Sequence, residues 1–376
     1  MQLHNFDAAA FLRDAWQQRP LLIRNPWKAW ANPLEPDELA GLACTAEVEA
    51  RLVVRNADSW ALEQGPFAED RFAALGAAPW TLLVQAVDHH DPAVAALIAP
   101  FRFVPDWRID DVMVSYASDG GGVGPHFDQY DVFLIQGLGR RRWQVGARCD
   151  ADSALLPHDD LRLLAEFQPT EEWVLEPGDI LYIPPGFAHD GVALGDDCMT
   201  YSVGFRAPSR GELIAHWCEA VLDELDEDDR YADPGLTPQA NPGEITPAAL
   251  AGLHTLITER LGDRAAFARW FGEYTTAPKY PEIDWTPDEP FTADEVREAL
   301  TEGAALVRNP ASRFAFVRGD DALFVDGEAL DCPAALAERL CGADRIDPAA
   351  DLLTEDALDL ITDLLAQGSL GFADED

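Results

Sequence analysis

Gly120-Gly-Gly-Val-Gly-Pro-His-Phe-Asp-Gln-Tyr-Asp-Val-Phe-Leu-Ile-Gln-Gly-Leu-Gly-Arg-Arg-Arg-Trp-Gln-Val-Gly146 is the stretch on which the fold turns. A glycine cluster closed by Pro125 leads into β-branched and aromatic residues, and a similar run resumes after Gly137-Leu-Gly139. The pattern predicts strands at His126–Gln136 and Arg140–Val145 joined by a tight turn. Residues i and i+2 of a strand share a face, so His126 and Asp128 should project together. A second stretch, Gly178-Asp-Ile-Leu-Tyr-Ile-Pro-Pro-Gly-Phe-Ala-His189, follows about sixty residues on. It reads as a strand over Asp179–Ile183, a Pro-Pro-Gly turn that fixes the chain direction, and His189 just past it.

Neither stretch decides alone. An HxD triplet arises by chance more often than it binds a metal, and a lone histidine after a turn is as often a core residue. The second stretch is more specific, because its G-x5-P-x-G-x2-H pattern matches the second cupin motif at every fixed position. Together they supply two imidazoles and one carboxylate, the facial set of non-haem iron(II) oxygenases. An octahedral ion held this way keeps three positions free, two for a chelating keto acid and one for dioxygen. The remaining histidines (His4, His89, His90, His158, His216 and His254) read as structural or surface residues, with Asp88-His-His-Asp91 as a loop or solvated element end.

A 2-oxoglutarate enzyme also needs a cation for the distal carboxylate of its co-substrate. In Arg140-Arg-Arg142-Trp143, alternation puts Arg141 and Trp143 on one face and Arg140 and Arg142 on the other. An arginine inside an apolar barrel is costly unless an anion pairs with it, and a bidentate carboxylate supplies that pair. The sequence leaves open which parity faces inward, or whether all three arginines lie on a solvated edge.

Outward from this centre, the first half of the chain is rich in strands. Asp7 can cap a short helix over Ala8–Trp16, and strand-like runs follow at Pro20–Arg24, Val48–Val54, Trp80–Val87, Asp111–Tyr116, Glu172–Leu175 and Met199–Phe205. Short strands divided by Gly/Pro turns predict an all-β barrel or jelly roll. After Arg206 the spacing becomes helical, at Glu212–Leu225, Thr246–Leu261 and Ala265–Phe271. A linker at Pro278–Pro290 precedes a small α+β unit with helices at Thr292–Thr301, Pro333–Leu340 and Thr354–Ala366 around strands Arg313–Arg318 and Ala322–Val325. We therefore divide the chain into a catalytic domain over 1–206, a helical region over 207–285 and a winged-helix-like domain over 286–376.

Composition narrows the function classes. At 376 residues with 48% hydrophobic residues the chain has ample core for two or three folding units. Its apolar runs are too short to span a bilayer, and its first residues lack the basic start and apolar stretch of a signal peptide. Six cysteines without CxxC spacing argue against a zinc site or disulfide framework and fit a reducing cytoplasm. Acidic residues outnumber basic ones 68 to 27, for a net charge of −41, and only Lys28 and Lys279 are lysines. Such a field repels nucleic acid, so direct DNA binding by the C-terminal unit is not expected. Two explanations fit the charge equally: hydration in a salt-rich cytoplasm, and steering of a basic partner.

Over these stretches, and over Leu175–Gly191, Tyr201-Ser-Val-Gly-Phe-Arg206 and Phe11–Arg24, the chain resembles the JmjC-type ribosomal oxygenases, and their bacterial arm in particular. The order of the later segments is similar too, so the resemblance spans essentially the whole chain. It implies a double-stranded β-helix (the cupin or JmjC jelly roll), a helical region that forms a homodimer, and a winged-helix-like C-terminal domain. It assigns Fe(II) to His126, Asp128 and His189, and the distal carboxylate of 2-oxoglutarate to Arg141, where human relatives have lysine. Ser115 and Ser118 are candidates for a hydroxyl beside the co-substrate, and Asp119 and Asp131 for acceptors at the pocket mouth. The implied activity is hydroxylation of an arginine β-carbon in the basic large-subunit ribosomal protein sixteen, with dioxygen as oxidant. Alternatives are the same chemistry on another protein, as a histidyl hydroxylase or N-methyl-lysine demethylase, and a non-enzymic metal-binding cupin that docks a partner.

Overall fold

The computed structural model describes residues 2–56 and 59–373. Nine strands form one antiparallel sheet: β1 (Leu21–Ile23), β2 (Ala50–Asn56), β3 (Ser59–Gln64), β4 (Trp80–Val84), β5 (Ile109–Ala117), β6 (Asp131–Arg148), β7 (Pro169–Leu175), β8 (Ile180–Ile183) and β9 (Phe187–Phe205). Their order is β1-β8-β6-β9-β5-β4-β2-β3, with β7 joined to β6. The two longest strands organise the rest. β6 and β9 pair along their whole lengths, β8 takes the first half of β6, and β7 takes its second half. This arrangement is the jelly roll that the strand-rich first half of the sequence predicts.

Two predicted strands prove to be one. Gly137-Leu-Gly139 does not turn the chain: β6 runs through it, and the register against β9 slips at Gln136/Leu138 and again at Leu138/Arg140. Two successive bulges bend a strand without ending it. Gly139 takes φ +59°, and a Cβ there would lie 2.7 Å from the Asp197 carbonyl, so a side chain would block the bend. At the other end the prediction started the strand too early. Gly124, at φ +98°, and Pro125, which has no N–H to give a ladder, delay it to Asp131. β9 begins at Phe187, directly after the Pro184-Pro185-Gly186 turn, so His189 lies just past that turn, as predicted, and within the first residues of a strand. The prediction missed β3 and the short helices Pro36–Leu42, Glu69–Ala73 and Pro92–Ala95. The helix capped by Asp7 is present as Ala8–Asp14, its carboxylate accepting from the Ala10 N–H at 3.0 Å.

An aromatic core fills one end of the sheet. Phe101 and Phe133 stack at 4.4 Å, and Phe11 meets Tyr182 edge-on at 4.8 Å. Such pairs add about 0.5–1.5 kcal/mol each beyond the area they bury. Asp131, fully buried, takes hydrogen bonds from the Tyr182 hydroxyl (2.6 Å), Gln17 Nε2 (2.9 Å) and Arg108 Nη2 (3.1 Å). At Gly178-Asp179, the Asp179 carboxylate accepts from Arg24, Asn25 and Glu176, tying β1 to the start of β8. The acid of the second stretch thus has a structural task.

The chain divides into two compact units, residues 1–207 with 309–311, and residues 208–308 with 312–376. In the second, helices Arg210–Asp223, Pro247–Leu261, Arg264–Thr276 and Ala293–Glu302 precede two three-stranded sheets. One sheet joins Leu306–Arg308, Arg345–Ile346 and Leu370–Phe372, and the other is a meander of Phe314–Phe316, Ala322–Val325 and Glu328–Asp331. Helices Ala334–Gly342 and Glu355–Ala366 complete its core. The Arg264–Thr276 helix packs on the meander, where the Gly327 N–H donates to Thr276 Oγ1 at 3.2 Å.

Candidate metal and co-substrate site

His126 and His189 meet across an isolated antiparallel bridge, each N–H donating to the other's carbonyl at 3.0 and 2.8 Å. Asp128 is fixed two residues on, its carbonyl accepting from the Gly186 N–H at 2.6 Å. The ligands therefore converge through cross-chain hydrogen bonds, and strand alternation is not what aligns them. His126 Nδ1 lies 2.8 Å from the Gly124 carbonyl and His189 Nδ1 lies 2.9 Å from that of Phe187. A carbonyl only accepts, so both Nδ1 atoms carry the proton and both Nε2 lone pairs are free. Those Nε2 atoms stand 3.8 and 3.5 Å from Asp128 Oδ2. Among the described residues, this is the group of three ligand atoms, all within 4.8 Å of one another, that can hold a metal ion. Burial, then the neighbouring His126, push His189 down to about 4, against the opposing pull of Asp128. The imidazole is neutral at physiological pH, as a ligand must be.

Arg141 faces the same cavity, of about 270 Å³. Along β6, residues Arg141, Trp143 and Val145 are buried while Arg140 is exposed and Arg142 half-buried, which settles the parity. The Arg141 guanidinium donates through Nη1 to Ser115 Oγ (3.2 Å) and through Nε to Cys198 Sγ (3.4 Å), and it lies 5.8 Å from the Trp143 ring centroid. Arg141 Nη2 is buried and has no hydrogen-bond partner. An unpaired buried cation costs several kcal/mol, roughly, unless an anion arrives. The donor set and this orphaned guanidinium nitrogen fit an octahedral metal chelated by a dicarboxylic keto acid.

Of the other candidates, Ser115 lines the cavity and Ser118 does not. Ser118 Oγ accepts from the Trp80 N–H at 3.0 Å, holding β4. The pocket-mouth reading of Asp131 is overturned, since it is fully buried, both its oxygens are bonded within the core, and it does not line the cavity. Asp119 accepts from the Gly195 N–H at 2.7 Å and braces a loop outside the cavity lining. His89 and Asp88 are buried, not solvated, and Asp88 accepts from the Val112 N–H at 2.8 Å. His158 caps its own loop, accepting from Asp160 and Leu161.

Sequence reading missed Met113, Tyr130 and Ser202, which complete the cavity wall. Tyr130 is partly exposed and its hydroxyl meets Asp128; burial first and the Asp128 charge second push the phenol's pKa up. Its position two residues after Asp128 was the available signal.

The comparisons with known proteins agree with this geometry. A JmjC domain model matches residues 96–213 and a ROXA-like winged helix model matches residues 259–371. The chain is 44% identical to the ribosomal protein uL16 3-hydroxylase of Escherichia coli, over 86% of this chain and 85% of that one. It is 34% identical to a probable ribosomal oxygenase of Haemophilus influenzae, over 94% and 92% of the two chains. Among solved structures, it is similar to the E. coli ribosomal oxygenase YcfD in complex with cobalt and 2-oxoglutarate, with a TM-score of 0.87 at 38% identity over 99% of both chains.

Proposed function

The chain belongs to the JmjC-domain ribosomal oxygenases, and from that premise we propose that it hydroxylates the β-carbon of an arginine side chain in ribosomal protein uL16. It is a 2-oxoglutarate-dependent oxygenase that uses Fe(II) and dioxygen. Bound iron and keto acid supply oxidation of an unactivated C–H bond coupled to decarboxylation, which no side chain can provide. The protein's own residues do the rest. His126, Asp128 and His189 would hold the metal, the two imidazole rings locked by the Gly124 and Phe187 carbonyls. Arg141 receives the distal carboxylate of 2-oxoglutarate, with the Ser115 hydroxyl beside it. The apolar walls, including Val132, Leu134 and Trp143, exclude water from the reacting atoms. Tyr130 and Met113 offer the aromatic and thioether surface that suits the stem and guanidinium of an incoming arginine.

The observation that carries this reading is the unpartnered, buried Nη2 of Arg141 in the cavity that the triad lines. A metal-binding docking protein would have no use for it. In cells carrying and lacking this gene, mass spectrometry of uL16 should find one extra oxygen on an arginine only when the gene is present. An identical uL16 mass in both would remove the substrate assignment.

The domain reading extends this. We assign catalysis to 1–206, pairing of two copies to 207–285 and the winged helix to 286–376. Ile214, Leu222, Leu250 and Ile257 are each more than half exposed on the helices of the middle segment, which supports a homodimer. Among the described residues no helix is long and apolar enough to cross a membrane, and the acidic surface suits a basic ribosomal partner better than DNA. We place the activity in the cytoplasm, where the ribosomal protein substrate is.

A further inference from the structure

We propose that Cys198 and Gln136 are positioning residues for Arg141, which fix its guanidinium through neutral groups and so reserve its charge for the co-substrate. This rests on the assignment of Arg141 to the distal carboxylate of 2-oxoglutarate. Among the described residues, the guanidinium meets Cys198 at Nε, Ser115 at Nη1 and the Trp143 ring, none of them charged. In a chain with 68 acidic and 27 basic residues, a carboxylate is the partner that composition alone would favour. A carboxylate here would take the bidentate contact itself and compete with the keto acid for it. A thiol is a weak acceptor: it orients the rigid fork of N–H groups but does not neutralise it.

The fold goes to some length to bring the sulfur there. Against β6, Met199 pairs with Leu138 and Leu194 with Arg140, so residues 195–198 stand opposite the single Gly139, while Cys198 keeps its place beside Ala117 of β5. The bend at Gly139 admits this bulge, the site of a Cβ there being only 3.1 Å from Cys198 Cα. Cys198 ends fully buried among Ala117 and Ala193. Gln136 Nε2 lies 3.5 Å from the sulfur, which shares one of its two N–H groups with a backbone carbonyl. That amide is itself held by the Leu138 carbonyl (2.7 Å), the Met199 carbonyl (3.2 Å) and Thr200 Oγ1, which donates to Gln136 Oε1 at 3.2 Å. Both bulges of β6 are thereby tied to the atom that orients Arg141.

The test is calorimetric titration of 2-oxoglutarate into the Mn(II)-loaded protein, with KM and kcat of the iron enzyme measured beside it. Cys198→Asp should weaken 2-oxoglutarate by at least about 100-fold, because the new carboxylate claims the guanidinium. Cys198→Ala and Gln136→Leu should each weaken it by about three- to tenfold and raise the KM for 2-oxoglutarate more than they change kcat. Cys198→Ser, which restores a neutral acceptor, should recover wild-type affinity, and Mn(II) affinity should be the same in all four. Wild-type affinity in Cys198→Asp, alongside weakened binding in Arg141→Ala, would overturn the proposal and leave the Arg141 assignment standing. Wild-type affinity in Arg141→Ala would instead remove the assignment beneath it. Should Cys198→Asp fail to fold, equal affinities in wild type, Cys198→Ala and Cys198→Ser would overturn the proposal on their own.

Discussion

Asp131 and Arg141 lie ten residues apart on β6, both buried charges, and their surroundings differ in one respect. Around Asp131, a tyrosine, a glutamine and an arginine occupy both oxygens. Around Arg141, which lines the cavity, neutral groups hold one edge and leave the buried Nη2 without a partner. A buried charge with every partner present closes a core, while one with a partner missing waits for a ligand. The two halves of one strand thus do different work, and substitution should separate them.

The largest effect is expected at the metal. His126→Ala should remove Fe(II) binding and lower turnover by about a thousandfold or more, as measured by metal titration and succinate formation. Asp131→Ala should act on folding alone. Breaking a buried pair costs about 3–5 kcal/mol, read as a lower denaturation midpoint, with turnover per folded molecule unchanged. Arg141→Ala should do the reverse. It should weaken 2-oxoglutarate by about 2–3 kcal/mol, keep iron, and leave the midpoint equal or raised, since it deletes an unpaired buried cation. Were both variants to affect stability and leave co-substrate affinity alone, the contrast drawn between them would collapse.

Smaller effects sharpen the same division. His189 is depressed in the folded metal-free protein to about 4 from the usual histidine value of 6.5. The folded state then binds fewer protons than the unfolded one, so stability is complete above about pH 6.5 and falls as pH drops toward 4, by about 3 kcal/mol. Urea melts of the metal-free protein across that window should show the loss. Smallest of all is the effect of salt. If the net charge of −41 steers a basic substrate, raising ionic strength should increase the KM for uL16 several-fold, roughly, as the Debye length shrinks, and leave the KM for 2-oxoglutarate unmoved. Equal salt sensitivity of both constants would assign the charge to solubility.

What the sequence discloses follows from how local each feature is. The triad residues are legible because the Gly-Pro-His-Phe-Asp and Pro-Pro-Gly-Phe-Ala-His stretches carry their own turns. The geometry behind them is not, since His126 and His189 are aligned by a bridge between chain segments far apart in sequence. Gly137-Leu-Gly139 announces a break in regular pairing, but only the partner strand decides between a turn and a bulge. The parity of Arg141 hangs on that same decision. Asp131 and Ser118 illustrate the limit from the other side: each stands near the motif, yet long-range partners, Tyr182 and Trp80, commit them to packing.

The most direct measurement is mass spectrometry of purified uL16 after incubation with Fe(II), 2-oxoglutarate, dioxygen and either the wild-type protein or Arg141→Ala. The account predicts one added oxygen on a single arginine side chain with wild type, and a product that Arg141→Ala forms only when 2-oxoglutarate is raised far above the wild-type requirement. Unmodified uL16 with the wild-type protein under conditions where 2-oxoglutarate is still consumed would contradict it.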